Sequence, residues 1–512
     1  MSWSEELSRE RIVRLLNTVP VGNMRVEDFE LNYRPRRELA EQLSGVRQNQ
    51  PIAEPPYDAV VVTHGVHVYA NLIDYDRFLE DVGRETEGGS RILLEFLHLH
   101  YSGLDRLIDA HGAQRVDHHG GRVHAVVLEP VGDQNEAERV KIALSLAAAM
   151  RELVGEASAA HQNRFGSRIR VGVESGQALA VNGGKRNEPE PLFIGDAANL
   201  AAKLADGDEE GVAVGIRARA VLAASVINPV TTGGLLLNEA SYVRRGGPLH
   251  AAFGSKTAVD EAFASFRTDE LAKAGSPANF AFFRHPLPLR TIDFAQLLPS
   301  RTARQESSSL FADLSGFTQY VHDGIAAKGI AQVVSNLHVL RGEMAAVLRD
   351  FGGRKIRFIG DCVHGVLAEG TQASTSDLDT IRQAVKCAGA IRSSFELCQQ
   401  MLPGISELGI NVGIEHGTTP ITRLGLRGDR SVRCASSRAV TVSERVQQGC
   451  KNNQTALGPN ALAKAPAAIR NAFGWSGVLT ELDYFAALAF ASAMTAPAIA
   501  RAVAVPAEPH AR

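Results

Sequence analysis

The sequence predicts an α/β (α+β) protein built from two tandem copies of one domain. Three observations predict it. Strand-like and helix-like runs alternate through most of the chain, as they do in an α/β domain. One order of elements (strand with turn, helix, hairpin, helix, strand) runs from Tyr57 and again from residue 308. A repeat of that length implies a duplicated fold. Between the copies lies a stretch marked by Gly246, Gly247, Pro248, Pro277, Pro286 and Pro288, the composition of a linker. The chain divides accordingly into an N-terminal helical extension (1–55), a first domain (56–235), a linker (236–300), a second domain (301–475) and an Ala-rich helical tail (476–512).

Composition narrows the classes. A chain of 512 residues should hold more than one domain, and 45% hydrophobic with 22% charged residues is ordinary for a globular protein. A net charge of −3 points neither to nucleic acid nor to an anionic membrane. It also argues against a polymerase, which needs a basic channel. The five cysteines, at 362, 387, 398, 434 and 450, form no C-x-x-C pair, which fits free thiols in a reducing cytoplasm. The start, Met1-Ser2-Trp3-Ser4-Glu5-Glu6, lacks the pattern of a signal peptide. The tail from Tyr484 to Val505 is interrupted by Pro497 and Arg501 and reads as a surface-packing helix rather than a membrane span.

In chain order, Glu5 to Leu16 reads as a helix packing on a domain or a second chain. Ala59–Thr63, β-branched, and Val66–Leu72 read as two strands. A helix follows from about Gly89 to Ala110. Gln114–Val127 reads as a hairpin around Gly120-Gly121, and Asn135–Leu153 as a helix. Arg168–Gly176 is a strand, and Asp196 is an N-cap candidate for a helix running to Leu204. The second copy repeats this with helices over Gly329–Asp350 and Asp377–Met401, a hairpin at Gly360-Asp361, a strand over Gly409–Gly417 and a helix over Val440–Gln448. The histidines at 64, 67, 118, 119 and 124 lack zinc spacing and read as strand-face residues.

Two stretches of the second copy carry the chemistry. Each is a short apolar strand running into an acidic residue and a turn: Leu310 to Thr318, with Asp313, and Lys355 to Asp361. Paired on neighbouring strands, the two carboxylates would suit two Mg²⁺ ions completed by substrate phosphates. The pattern alone is equally compatible with an acidic strand cap and an ordinary Gly-Asp hairpin.

Phe311-Ala312-Asp313-Leu314-Ser315-Gly316-Phe317-Thr318 and Lys355–Asp361 resemble the two metal motifs of the class III nucleotidyl cyclases. The resemblance implies two cyclase-like domains forming a pseudo-heterodimer. It implies two ions, Mg²⁺ or Mn²⁺, held by Asp313, Leu314 and Asp361. It also implies substrate binding at Phe311, Gly316 and Phe317, where backbone N–H groups beyond Gly316 suit phosphate oxygens, with Arg427 as a triphosphate-binding residue. Arg427 reads equally well as a surface arginine. Overlaying the copies puts Asn71 at the place of Asp313 and Gly121 at that of Asp361, so the first copy lacks both carboxylates. Asp74 could be a displaced ligand, or a surface residue. Asn199 and Lys203 share one helix face and match the family's Asn and Arg that reach the reacting phosphate. Lys203 lacks the bidentate fork of Arg and reads otherwise as an exposed lysine. The second copy has Thr441 and Arg445 there. One active site per chain follows, with metals from the second copy and phosphate-directing groups from the first, in a monomer or a homodimer.

The positions that read the base in purine cyclases are Asp117 and Leu192 in the first copy, and neither purine pattern fits them. A leucine cannot hydrogen-bond adenine. The second-copy counterpart of Asp117 is Arg357. The run Glu190–Leu204 and the Asn182–Gly184 run resemble the pyrimidine cyclases of bacterial Pycsar antiphage defence. That resemblance implies UTP as substrate and cyclic UMP as a messenger for a separate effector. Asp117, His118 and Tyr69 are candidates for reading uracil. A purine cyclase and a non-catalytic nucleotide sensor are the alternative functions.

Overall fold

Two sheets, one from each repeat, organise the structure. It is a computed structural model describing residues 3–19, 21–45, 50–52, 58–161, 165–182, 190–225, 256–275, 280–327 and 329–492. Gly183-Gly184, residues 236–255 and 276–279 of the linker, and the tail beyond Ser492 lie outside the described residues.

The first repeat follows helix α1 (Glu5–Thr18), β1 (Arg25–Asp28) and α2 (Arg34–Ser44). It comprises β2 (Ala59–Leu72), α3 (Tyr75–Glu80), α4 (Glu87–Ala110), β3 (Gln114–His119), β4 (Arg122–Val127), α5 (Glu136–Ala160), β5 (Ile169–Asn182), β6 (Pro191–Ile194), α6 (Asp196–Ala205), β7 (Gly211–Val214) and α7 (Ile216–Ser225). After α8 (Lys256–Asp269) and β8 (Phe282–Phe283), the second repeat uses β9 (Thr302–Ser315), α9 (Phe317–Ala326), α10 (Ile330–Asp350), β10 (Arg354–Ile359), β11 (Cys362–Leu367), α11 (Asp377–Met401), β12 (Gly409–Leu424), β13 (Val432–Ala435), α12 (Arg438–Gln448) and β14 (Gln454–Leu457).

The sheets are counterparts. One runs β3-β4-β2-β5-β6, the other β10-β11-β9-β12-β14 and onward. In both, the strand after α6 or α12 (β7 or β14) pairs parallel with the long central strand. The register supports the overlay of the copies. Ala70 faces Val123 in the first sheet as Ala312 faces Val363 in the second. Asn71 faces Arg170 as Asp313 faces Asn411.

Several expectations change. Ala59–Thr63 and Val66–Leu72 are one strand. The ladder to β5 runs unbroken from Val61↔Ala180 to Leu72↔Ile169, through Gly65↔Gly176. Regular pairing on both sides overrides the local break that His64-Gly65 suggests. Strands β5 and β12 likewise run past the ends expected at Gly176 and Gly417. Asp196 is the first residue inside its helix, and Gly195 is the cap. Asp74 is neither a displaced ligand nor a loose surface group. Its carboxylate accepts the Arg168 backbone N–H at 3.2 Å and the guanidinium at 3.3 Å.

The N-terminal extension packs on the second repeat. Trp3 and Ile12 join the core built from β9, α10, α11 and β12. The Arg11 guanidinium donates to both oxygens of Glu343 on α10, at 2.9 and 2.7 Å, and also reaches Asp350.

Candidate active site

The β10–β11 hairpin sets Asp361. Gly360 at its tip has φ +58°, a left-handed conformation that costs glycine little, and the chain reverses over Gly360-Asp361. Because β11 pairs with β9 from Val363↔Ala312 onward, Asp361 returns beside Asp313. Burial, and secondarily the nearby Glu444, push the Asp313 carboxyl up to about 6, although Gln447 donates to it at 3.2 Å. Burial, then the Asp313 charge, pushes Asp361 well above the usual range. The Leu314 backbone N–H lies against both carboxylates. Two half-buried carboxylates in mutual repulsion are a site a cation would relieve. Among the described residues no cluster of three or more His, Cys, Asp or Glu could hold a metal by itself. That donor set fits a hard divalent cation whose remaining ligands are water and phosphate oxygens, and Asp313 and Asp361 could hold it.

Asp361 opens onto a cavity of about 580 Å³ between the repeats, the size of a small-ligand site. The second repeat contributes Phe317, Thr318, Arg341, Arg357 and Phe358 to its walls, and the first contributes Tyr69, Asp117, His118, Leu192 and Asn199. Asn199 is placed by α6, which packs closely on β5. A Cβ on Gly172 would stand 2.0 Å from the Ala201 carbonyl oxygen, so only glycine permits the approach. The Asn199 amide then donates across the cleft to the Thr318 hydroxyl at 3.4 Å.

Of the residues expected from the sequence, the structure brings together Asp117, Leu192, Asn199, Phe317 and Asp361 around this cavity, with Asp313 beside Asp361. Phe311, Leu314 and Gly316 stand behind them on β9 and its turn. Lys203 and Arg427 are exposed and do not line the cavity. Tyr69 and His118, the further candidates for the base, do line it.

Charges across the repeats hold the cavity's inner end. Arg357 donates to Asp117 at 2.7 Å. Glu190 accepts from the Lys355 amine at 2.7 Å and the Phe358 backbone N–H at 3.2 Å, with Arg433 at 3.5 Å. Burial pulls the Lys355 amine down to about 8 against the opposing pull of Glu190. Sequence reasoning missed Glu190, Lys355 and Arg341 as functional groups. Arg341 did leave a signal. Val334, Leu337, Met344 and Leu348 form the buried stripe of α10 at helical spacing, and Arg341 breaks that stripe.

The counterpart position in the first repeat is closed by other bonds. Asn71 donates to Asp206 at 3.0 Å. Tyr75 packs against Gly121. Glu444, on α12, takes Arg122 at 2.6 Å and His119 at 3.3 Å. What remains is a recess of about 150 Å³. Burial alone would push the Glu444 carboxyl up, but the adjoining His119 and Arg122 outweigh it and hold it at about 2. A depressed carboxylate stabilises the fold above its unfolded value, near 4.3, and loses that contribution as pH falls towards 2. Glu444→Gln is therefore expected to flatten the decline in unfolding free energy between about pH 4 and 2, measured by urea titration at each pH.

The comparisons with known proteins agree with this architecture. The sequence pattern of the adenylate and guanylate cyclase catalytic domain matches residues 74–236 and, again, 301–464. A protein from a Rhizobium species, named uridylate cyclase, is 45% identical over 94% of this chain and 94% of its own length. A Pseudomonas aeruginosa protein of the same name is 35% identical over 82% of this chain and 81% of its own. Among solved structures, a class III adenylyl cyclase-like ATP-binding protein from Pseudomonas aeruginosa superposes with a TM-score of 0.81 at 31% identity, covering 96% of this chain and 100% of that one. Among the described residues no helix is long and apolar enough to cross a membrane. The chain therefore belongs to the class III nucleotidyl cyclases, a divalent-metal-dependent enzyme family that acts on nucleoside triphosphates, and it carries their catalytic domain twice.

Proposed function

We propose that the protein is a uridylate cyclase, converting UTP to cyclic UMP and pyrophosphate at the cavity between its repeats. The observation that carries this reading is the name shared by the two relatives that align along most of the chain. The chemistry of the cavity supports it. Leu192 offers no hydrogen bond to a purine amino group, and Asp117 is held by Arg357.

Asp313 and Asp361, with the Leu314 backbone, would hold two Mg²⁺ or Mn²⁺ ions, which when bound make the 3′-hydroxyl more acidic and neutralise the triphosphate. The substrate's 3′-oxygen attacks its own α-phosphorus. The bond to pyrophosphate breaks, and the hydroxyl proton leaves to solvent. The first free backbone N–H groups of α9 beyond Gly316 bind phosphate oxygens. Asn199 and Thr318, already joined across the cleft, orient the reacting phosphate and donate to its growing charge. Phe317 and Leu192 exclude water around the nucleoside. Lys203 contributes long-range positive charge rather than a direct contact. The product acts as a messenger on a separate effector in antiphage defence within the cytoplasm.

The test is product identification. ATP, GTP, CTP and UTP are supplied separately with Mg²⁺ or Mn²⁺, and products are read by mass spectrometry. Cyclic UMP is expected to exceed each other product by at least about tenfold. ATP is the informative competitor, because the structural relative is described as ATP-binding. Cyclic AMP or GMP as main product would replace the uridylate reading with a purine one. No product from any nucleotide would favour a sensor.

A further inference from the structure

Arg341 lines the cavity yet belongs to none of its ion pairs. It is 2% exposed, and its guanidinium carbon lies 4.0 Å from the centre of the Phe358 ring. Its Nε and Nη1 atoms are buried and donate to nothing. The nearby carboxylates are engaged elsewhere, Asp117 by Arg357 and Glu190 by Lys355. A guanidinium only donates and does not lose its charge. Buried donors without acceptors weaken a fold, and they reward a ligand that brings acceptors.

We infer that Arg341 is a specificity-determining residue that donates to the carbonyl oxygens of the substrate's base and so selects uracil over cytosine. This rests on the uridylate reading. Uracil presents two carbonyl acceptors. Cytosine replaces one of them with an amino group, which would set donor against donor beside Arg341. The base, rather than the triphosphate, is the partner for two reasons. Phosphates are drawn to the cation-holding Asp313 and Asp361 and to the start of α9. Arg341 shares the Phe358 ring with Lys355, each 4.0 Å from its centre, and Lys355 and the Phe358 N–H both bond Glu190, so the guanidinium stands beside the Glu190 cluster, two residues from Leu192. The Phe358 ring holds the guanidinium plane in place without consuming its donors.

The test uses Arg341→Met, which keeps the length of the stem, and Arg341→Lys, which keeps the charge. Binding of 3′-deoxy-UTP and 3′-deoxy-CTP, which lack the attacking hydroxyl, is measured at equilibrium on the full chain. Arg341→Met is expected to lower the uracil-to-cytosine preference about 10- to 100-fold, through weaker uracil binding. Arg341→Lys should fall between it and the wild type. The ligand-free melting temperature of the Met variant should be no lower than that of the wild type, since an unmet buried charge is removed. An equal loss for both nucleotides, together with weaker inhibition by inorganic tripolyphosphate, would reassign Arg341 to the phosphates and overturn the inference. An unchanged preference would also overturn it. Failure of the uridylate reading appears elsewhere, in a wild type that makes no cyclic UMP.

Discussion

Asp361→Asn is expected to lower cyclic-nucleotide formation by at least about 10³-fold while leaving the fold intact. The substitution keeps the side chain's size at the hairpin tip and can still accept the Leu314 N–H. It removes one of the two charges that would hold the cations. Metal-free, those charges repel each other across a half-buried site, which is why burial and Asp313 together raise Asp361 so far. Neutralising one should leave the melting temperature unchanged or higher. Lost activity with undiminished stability marks a group retained for chemistry rather than for folding. Product formation by chromatography, with melting followed in parallel, reads both. Activity within tenfold of wild type would remove Asp361 from the cation site.

Arg11→Met is expected to carry the largest cost in stability, about 3–5 kcal/mol. Glu343 is 1% exposed. Its oxygens take the Arg11 guanidinium and the hydroxyls of Ser8 and Ser394, at 2.7 and 3.0 Å. Without Arg11, a buried carboxylate keeps two neutral donors and no counter-charge. The effect should appear as a lower urea midpoint and faster hydrogen exchange along α10. The double variant Arg11→Met, Glu343→Met should recover most of the loss, because no lone charge is then left behind. If the double variant is as unstable as the single one, packing of α1 rather than the ion pair holds the extension in place. Since α10 also carries Arg341 two residues before Glu343, loosening this contact should reach the cavity wall as well.

The duplication and the carboxylate pair were legible because both are written locally. Asp313 and Asp361 each follow an apolar run and adjoin a turn, and the same order of elements occurs twice. Strand limits were less legible. His64-Gly65 carries a break signal, but pairing on both sides of β2 decides the outcome. The groups that meet across the cleft were the hardest to read. Glu190 with Lys355 depends on how two distant surfaces face each other, and no periodicity within either segment encodes that. Lys203 and Arg427 show the converse. The family resemblance places them near the chemistry, while their side chains lie outside the cavity wall. Arg341 lies between these cases. Its stripe on α10 marks the position as buried, yet nothing in the helix says that a second domain supplies the polar surroundings.

The cavity's two walls belong to one polypeptide, and that bears on behaviour at low copy number. A cyclase whose site forms between separate subunits loses its walls as its concentration falls below their dissociation constant. Here the tether keeps the partner surface at a high effective concentration however few molecules are present. Output per molecule should then stay constant on dilution.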